Sequence, residues 1–253
     1  MDPSGNGNDE APNAGGEGGT EAGGSGSGAR GTVSSLQGFL RRLGAFEELL
    51  GSSIRNSSAA SSLRNLFKTL QEATSSNGDG ENEGEILTAL QNICEELCLA
   101  TEDTIAALDI RMVVSTLTDN IKANHSPERM LLAARALTHL FDVAYGAIGV
   151  NSALNSVTVA LVNSGTVTVL CDKLLSIEYI DLAEQALVAL EKLSRDPAAS
   201  RTCLEGGVVT AATTYLDFFP TGVQRTALKM AANICAHLPP GIIYKKIIER
   251  DIF

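Results

Sequence analysis

Apolar residues return at steps of three and four along most of the chain, and polar runs divide it into segments. Leu36, Phe39, Leu40, Leu43, Phe46, Leu49 and Leu50 fall on one side of a helix, and Leu63, Leu66, Phe67 and Leu70 on one side of another. A serine-rich gap from Ser52 to Ser62 separates the two, and the polar run from Thr74 to Glu83, with Asn77-Gly78-Asp79-Gly80 inside it, follows the second. From Asn82 onward the helical pattern begins to repeat. Ala89, Ala136, Ala186 and Ala227 recur 47, 50 and 41 residues apart. Each is followed by a leucine (Leu90, Leu137, Leu187, Leu228) and, four residues on, by Ile93, Leu140, Leu190 or Ala231. The pattern is clearest from Ser176 to Leu238, where it predicts a helix over Asp181–Ser194, a linker through Arg201–Val209, a second helix to Phe219 and a third from Thr221.

The repeated helices carry start signals. Asn82, Ser126 (before Pro127), Asp181 and Thr221 stand where N-cap or capping-box residues belong, with Glu85, Glu184 and Gln224 three residues after the first, third and fourth. Between them recurs a turn leading into a Val/Leu-rich helix: Gly206-Gly207-Val208-Val209, Gly165-Thr166-Val167 and, without glycine, Asp109-Ile110-Arg111-Met112. Spacings in and just beyond roughly 40 to 47 residues belong to HEAT and armadillo units. A glycine turn between a first and a second helix favours the three-helix armadillo unit over the two-helix HEAT unit. The expected fold is therefore all-α: an armadillo-type α-solenoid of about four repeats with a disordered, Gly-rich, acidic N-terminus. The expected boundaries are a leader over 1–33, two lead-in helices and a polar linker over 34–80, the array over 81–240 and an apolar tail over 241–253, with Pro239-Pro240-Gly241 as a stop.

Composition narrows the function. Eleven of the 24 glycines lie between Gly5 and Gly31, a stretch too poor in apolar residues to offset the entropy of ordering, so the globular part is nearer 180 residues. The Gly23–Gly28 run has no strand before it and no Gly-Lys-Ser/Thr after it, which makes it a linker rather than a phosphate cradle. A net charge of −11 lacks the basic footprint that phosphate neutralisation needs, so nucleic acid is not the expected partner. No signal peptide opens the chain, and no uncharged apolar stretch approaches the roughly 18 residues of a membrane span. Five cysteines, odd in number and mostly on predicted apolar helix faces, fit reduced thiols in cytoplasm or nucleus.

Catalytic chemistry is sparse. His125, His139 and His237 fall in different repeats without a nucleophile beside them in sequence, and no enzyme motif is present. Cys94 and Cys98, one turn apart, lack a second ligand pair and read as small helix residues rather than zinc ligands; no cofactor, metal or small-molecule substrate is expected. The outward stripe of the repeats says more. With the aligned alanines facing inward, the opposite side carries Thr88, Gln91 and Glu95; Arg135, Thr138 and Asp142; Gln185, Val188 and Lys192; and Thr226, Lys229 and Asn233. In stacked armadillo units the third helices line the concave groove. Gln91, Glu95, Arg135, Thr138, Asp142, Gln185, Lys192, Lys229 and Asn233 are therefore the candidate peptide-binding face.

Several strings are longer than a generic repeat consensus: Ser35–Ala45 (SLQGFLRRLGA), Met130–Leu140 (MLLAARALTHL), Ile177–Leu187 (IEYIDLAEQAL) and Tyr215–Phe219 (YLDFF) followed by Gly222–Arg225 (GVQR). Over about Ser34 to Leu238 the chain resembles the N-terminal armadillo region of HECT-type ubiquitin ligases of the ubiquitin-fusion-degradation and thyroid-receptor-interactor class, plant members above all. The resemblance implies a non-catalytic module that binds protein substrates, degrons or ubiquitin-pathway proteins, since none of the five cysteines stands in the context of the HECT thioester cysteine. The alternatives are an importin-like peptide carrier, whose groove would need repeated Trp and Asn where this chain has no Trp, and a free-standing scaffold.

Overall fold

A computed structural model describes residues 57–75, 82–122, 125–146, 152–176 and 178–250, with the side chains of 152–155 and 247–250 left aside. The expected leader, the amphipathic stretch Ser34–Leu50 and most of the polar linker lie outside the described residues. The helices are α1 (57–75), α2 (Glu83–Leu99), α3 (Glu102–Ala106), α4 (Ile110–Ile121), α5 (Pro127–Gly146) and α6 (Ser152–Asn163). There follow α7 (Thr166–Leu175), α8 (Ile180–Ser194), α9 (Pro197–Glu205), α10 (Val208–Thr214), a 3-10 turn (Leu216–Phe218), α11 (Thr221–His237) and α12 (Pro240–Arg250). No strand occurs among the described residues.

From α3 onward the helices fall into threes, α3-α4-α5, α6-α7-α8 and α9-α10-α11, each ending in a long third helix. These third helices stack in chain order, α5 against α8 and α8 against α11, with α2 packed against α5 ahead of them, and the second helices α4, α7 and α10 form a second row packed on them. The repeating Ala-Leu pair explains the stacking. Ala136 and Ala186 are fully buried and Ala89 and Ala227 nearly so, which lets the third helices approach closely, while Leu90, Leu137 and Leu187 are fully buried beside them. Each such leucine contributes about 1.5–3 kcal/mol by leaving water. Leu228 departs from the pattern and is 60% exposed.

The turns behave as the sequence predicts. Gly165 (φ 71°) and Gly207 (φ 80°) are left-handed at the starts of α7 and α10, a conformation that a side chain would strain. At the equivalent start of α4, Asp109 keeps a negative φ and its carboxylate accepts a hydrogen bond from Met112 N at 3.2 Å. Gly206 serves packing: a Cβ there would sit 3.0 Å from Thr202 O and from Cγ1 of Val167 in the preceding repeat.

Four local expectations are corrected. Of the four expected caps only Ser126 acts as one, its Oγ accepting from Arg129 N at 3.2 Å; Asn82 makes no cap bond, and Asp181 and Thr221 lie inside helices that start at Ile180 and Thr221. The linker after α8 contains a helix of its own, α9, opened by Pro197 and capped by Asp196, which accepts from Ala198 N at 2.9 Å. The serine-rich gap is helical from residue 57, because α1 gains more by packing Leu63, Phe67 and Leu70 fully into the core than Ser57–Ser62 lose in propensity. The Pro239-Pro240 stop is a start: α12 begins at Pro240 as α9 begins at Pro197, and it packs on α9.

Candidate functional site

The polar stripe lies along the stacked third helices, and much of it is taken up in bonds from one helix to the next. Between α5 and α8, Gln185 Nε2 donates to Thr138 Oγ1 at 2.6 Å and Lys192 Nζ pairs with the Asp142 carboxylate. Between α8 and α11, Asn233 Nδ2 donates to Ser194 Oγ at 3.0 Å and Lys229 Nζ lies 3.1 Å from Glu191 Oε1. Thr138 is buried, with its Oγ donating to Ala134 O at 3.0 Å, so it supports Gln185 and offers no surface. Gln91, Glu95 and Arg135 are exposed and stand clear of these cross-links, as does Thr88, whose hydroxyl turns back to Gly84 O at 2.7 Å.

Glu191 is the residue the sequence reading missed. It stands one position before Lys192, and its side chain is 4% exposed. Arg195 grips it with two bonds, Nη2 to Oε2 at 2.6 Å and Nε to Oε1 at 3.1 Å, and Lys229 adds a third. Burial by itself would raise the Glu191 carboxyl, but the bonds from Arg195 and Lys229 outweigh it and hold the group below its ordinary range. The Arg195 guanidinium also sits 5.8 Å over the Tyr145 ring, joining α8 to α5. A helical plot could have marked Glu191 as an acid on the apolar side with Arg195 one turn on; it could not have supplied Lys229.

At the other end of the row, the N-terminus of α5 is tied to α2 and α4. Arg129, 6% exposed, donates through Nε to Asn120 Oδ1 at 2.7 Å and lies 3.3 Å through Nη1 from Glu83 Oε2, whose partner oxygen accepts from Ser126 Oγ at 2.5 Å.

Histidines separated in sequence do meet nucleophile side chains in space. Cys98 Sγ lies 3.5 Å from both ring nitrogens of His139, and Ser200 Oγ lies 3.0 Å from His237 Nδ1. Cys94 differs from its neighbour one turn on. Half-buried, it donates to Leu132 O at 3.4 Å, and burial pushes its thiol up to about 11. Among the described residues no three His, Cys, Asp or Glu side chains are placed to hold a metal ion. What the face can do chemically is present fixed donors, acceptors and charges to a protein surface.

Comparison with known proteins bears on what that surface belongs to. A family profile described as E3 ubiquitin-protein ligase TRIP12-like, TPR repeats, matches residues 47–205. E3 ubiquitin-protein ligase UPL3 of Arabidopsis thaliana is 42% identical over 200 residues, covering 79% of this chain and 10% of the relative. E3 ubiquitin-protein ligase TRIP12 of Danio rerio is 33% identical over 184 residues, covering 73% of this chain and 8% of the relative. The chain thus spans about a tenth of the length of these relatives. A designed armadillo repeat protein superposes with a TM-score of 0.55 at 19% identity, covering 73% of this chain and 69% of the other. A second, in complex with the peptide (KR)4, gives the same score at 18% identity and the same coverage. The family description speaks of TPR repeats, two-helix units of about 34 residues, whereas the three-helix units here follow the armadillo pattern. By the profile match over most of the repeat array, the chain belongs to the TRIP12-like E3 ubiquitin-protein ligases, corresponding to the N-terminal repeat region of these HECT-type enzymes.

Proposed function

We propose that this array is the part of a ubiquitin ligase that binds a protein, substrate or adaptor, and brings it to ubiquitin transfer carried out elsewhere. The observation that carries the reading is the division of the third-helix face. At its C-terminal side Gln185, Lys192, Lys229 and Asn233 are engaged in helix-to-helix bonds, while on α2 and α5 Gln91, Glu95 and Arg135 remain exposed with one acid and one base among them. A rigid, cross-linked row with free polar groups at one end suits recognition of a polypeptide at low entropic cost. A peptide carrier of the importin kind finds less support, because the chain has no Trp and its aligned Asn233 is already bonded to Ser194.

The test is a comparative affinity purification of the wild-type chain and a Glu95→Arg/Arg135→Glu double variant, with quantitative mass spectrometry. Proteins retained by wild type and lost from the variant are expected to bind the purified chain directly and to be ubiquitinated by the longer relatives. Identical retention on both would overturn the assignment of this face. The chain itself is expected to form no reductant-sensitive adduct when mixed with ubiquitin-charged E2, and such an adduct would overturn the non-catalytic role. Preferential capture of a (KR)4 peptide would instead favour the carrier reading.

A further inference from the structure

The two helices that flank α5 meet its N-terminal end differently. On the α2 side, Glu83 holds both Ser126 and Arg129 and laces the ends together. On the α8 side, the first side-chain bond between the helices among the described residues is Gln185 to Thr138, and the ends ahead of it stand apart around a groove of about 400 Å3. That volume lies within the roughly 300–1,000 Å3 range of ligand sites. The groove opens on the polar stripe, since Leu131 stands one turn before Arg135 and Asp181 one turn before Gln185. Its walls are apolar: Ile180 is 55% exposed, and Leu131 and Tyr179 are half-buried. Its rim is acidic. Glu128, Glu178 and Asp181 are exposed, no cation stands among the lining residues, and none of the three acids forms an ion pair among the described residues. Acids at helix N-termini complement the helix dipole. That accounts for the sign of Glu128 and Asp181, but not for apolar side chains left open between them.

We propose that this groove seats a bulky apolar side chain of a partner protein, from a segment whose flanking residues are lysine or arginine. The inference rests on the protein-binding reading and names the chemistry of the segment bound. Removal of Leu131, Tyr179 and Ile180 from water supplies the attraction for the apolar anchor, as in the buried hot spots of protein interfaces. The three carboxylates select its neighbours: a cation beside the anchor meets opposite charge, and an acid meets like charge with no lining base to offset it. Arg129, next to Glu128 in sequence, is buried against Asn120 and Glu83 instead. A net charge of −11 draws the same kind of segment in from a distance.

The probe is a phage-displayed library of random short peptides panned on the purified full chain, with enriched peptides synthesised and titrated by fluorescence anisotropy. Peptides carrying a bulky apolar residue flanked by Lys or Arg are expected to be enriched. Glu128→Lys/Asp181→Lys and, separately, Ile180→Ser are expected to weaken them about tenfold or more. Raising salt from about 0.1 to about 1 M shortens the screening length from about 10 to about 3 Å and is expected to weaken binding to the wild type. Panning that enriches no motif, acidic peptides, or basic peptides without an apolar residue would overturn the proposal, as would full affinity in variants whose thermal melts match the wild type. Where the charge-reversed variant melts early, Glu128→Gln/Asp181→Asn takes its place, with about a threefold loss expected. Proteins lost from Glu95→Arg/Arg135→Glu but retained by Ile180→Ser, with no such peptide enriched, would overturn this inference alone and leave the protein-binding reading standing. An enriched peptide that Ile180→Ser weakens, alongside captured proteins indifferent to Glu95→Arg/Arg135→Glu, would uphold the groove and remove Glu95 and Arg135 from the site.

Discussion

Leu187 on α8 and Leu228 on α11 hold the same place in consecutive repeats, each one residue after a buried alanine, yet Leu187 is fully buried and Leu228 is 60% exposed. α8 lies between α5 and α11, whereas α11 has α8 on one side and no third helix on the other among the described residues. The register decides which way a side chain points, and the neighbouring helix decides whether that direction is interior. The bonds across the two junctions differ as well. From α5 to α8 they join Thr138 to Gln185 and Asp142 to Lys192; from α8 to α11 they join Glu191 to Lys229 and Ser194 to Asn233. The same stripe position therefore meets a different partner, in keeping with repeat spacings of 50 and 41 residues.

The sharpest way to break the comparison is to place an aspartate at both leucines. Leu187→Asp buries an unpaired carboxylate and is expected to cost about 4 kcal/mol or more, while Leu228→Asp should stay within about 0.5 kcal/mol; urea unfolding of the two variants reads the difference. Similar losses would show that something covers α11 in solution.

Next in size is the charged centre of the second junction. Glu191→Gln removes charge-assisted bonds to Arg195 and Lys229 and is expected to cost about 2 kcal/mol at pH 7. Because the folded-state carboxyl lies below the ordinary glutamate value of 4.5, its stabilisation is present above that value and fades as pH falls through the folded one. Chemical denaturation from pH 7 downward should show wild type and variant converging in acid; a gap that stays constant would remove Glu191 from the account.

A smaller loss is expected at the turn. Gly207→Ala strains a φ of 80° and should lower stability by about 1–2 kcal/mol, whereas Asp109, which opens α4 at a negative φ, should accept Asn at little cost; thermal melts of both variants compare the two turns. Smallest is Lys192→Ala. Its pair with the half-exposed Asp142 is expected to be worth less than about 1 kcal/mol, which a melt would register as a shift of a few degrees at most.

The helices and their face were legible because a period of three to four apolar residues admits few other folds. Ala89, Ala136 and Ala186 mark the buried ridge correctly, and Gly165 and Gly207 mark turns that only glycine takes without strain. The candidate face was legible only as a direction. Thr138 and Asp142 have the polarity of binding residues, but Gln185 and Lys192, 47 and 50 positions further on, engage them. The Glu191–Lys229 bond and the Cys98–His139 contact were invisible for the same reason, since they join residues 38 and 41 positions apart, whereas Arg195 stands only one helical turn after Glu191.

The sequence by itself determined that this chain is a stack of helical units, that it turns at Gly165 and Gly207, which side of the repeated helices is apolar and which family its wording belongs to. Those properties are local: spacing, φ preference and side-chain polarity act within one helix or one turn. The tertiary structure decided which polar residues remain free, because the pitch between repeats sets the pairing of each donor with its acceptor. It also decided which thiol stands beside an imidazole, and that Leu228, identical in register to Leu187, faces solvent.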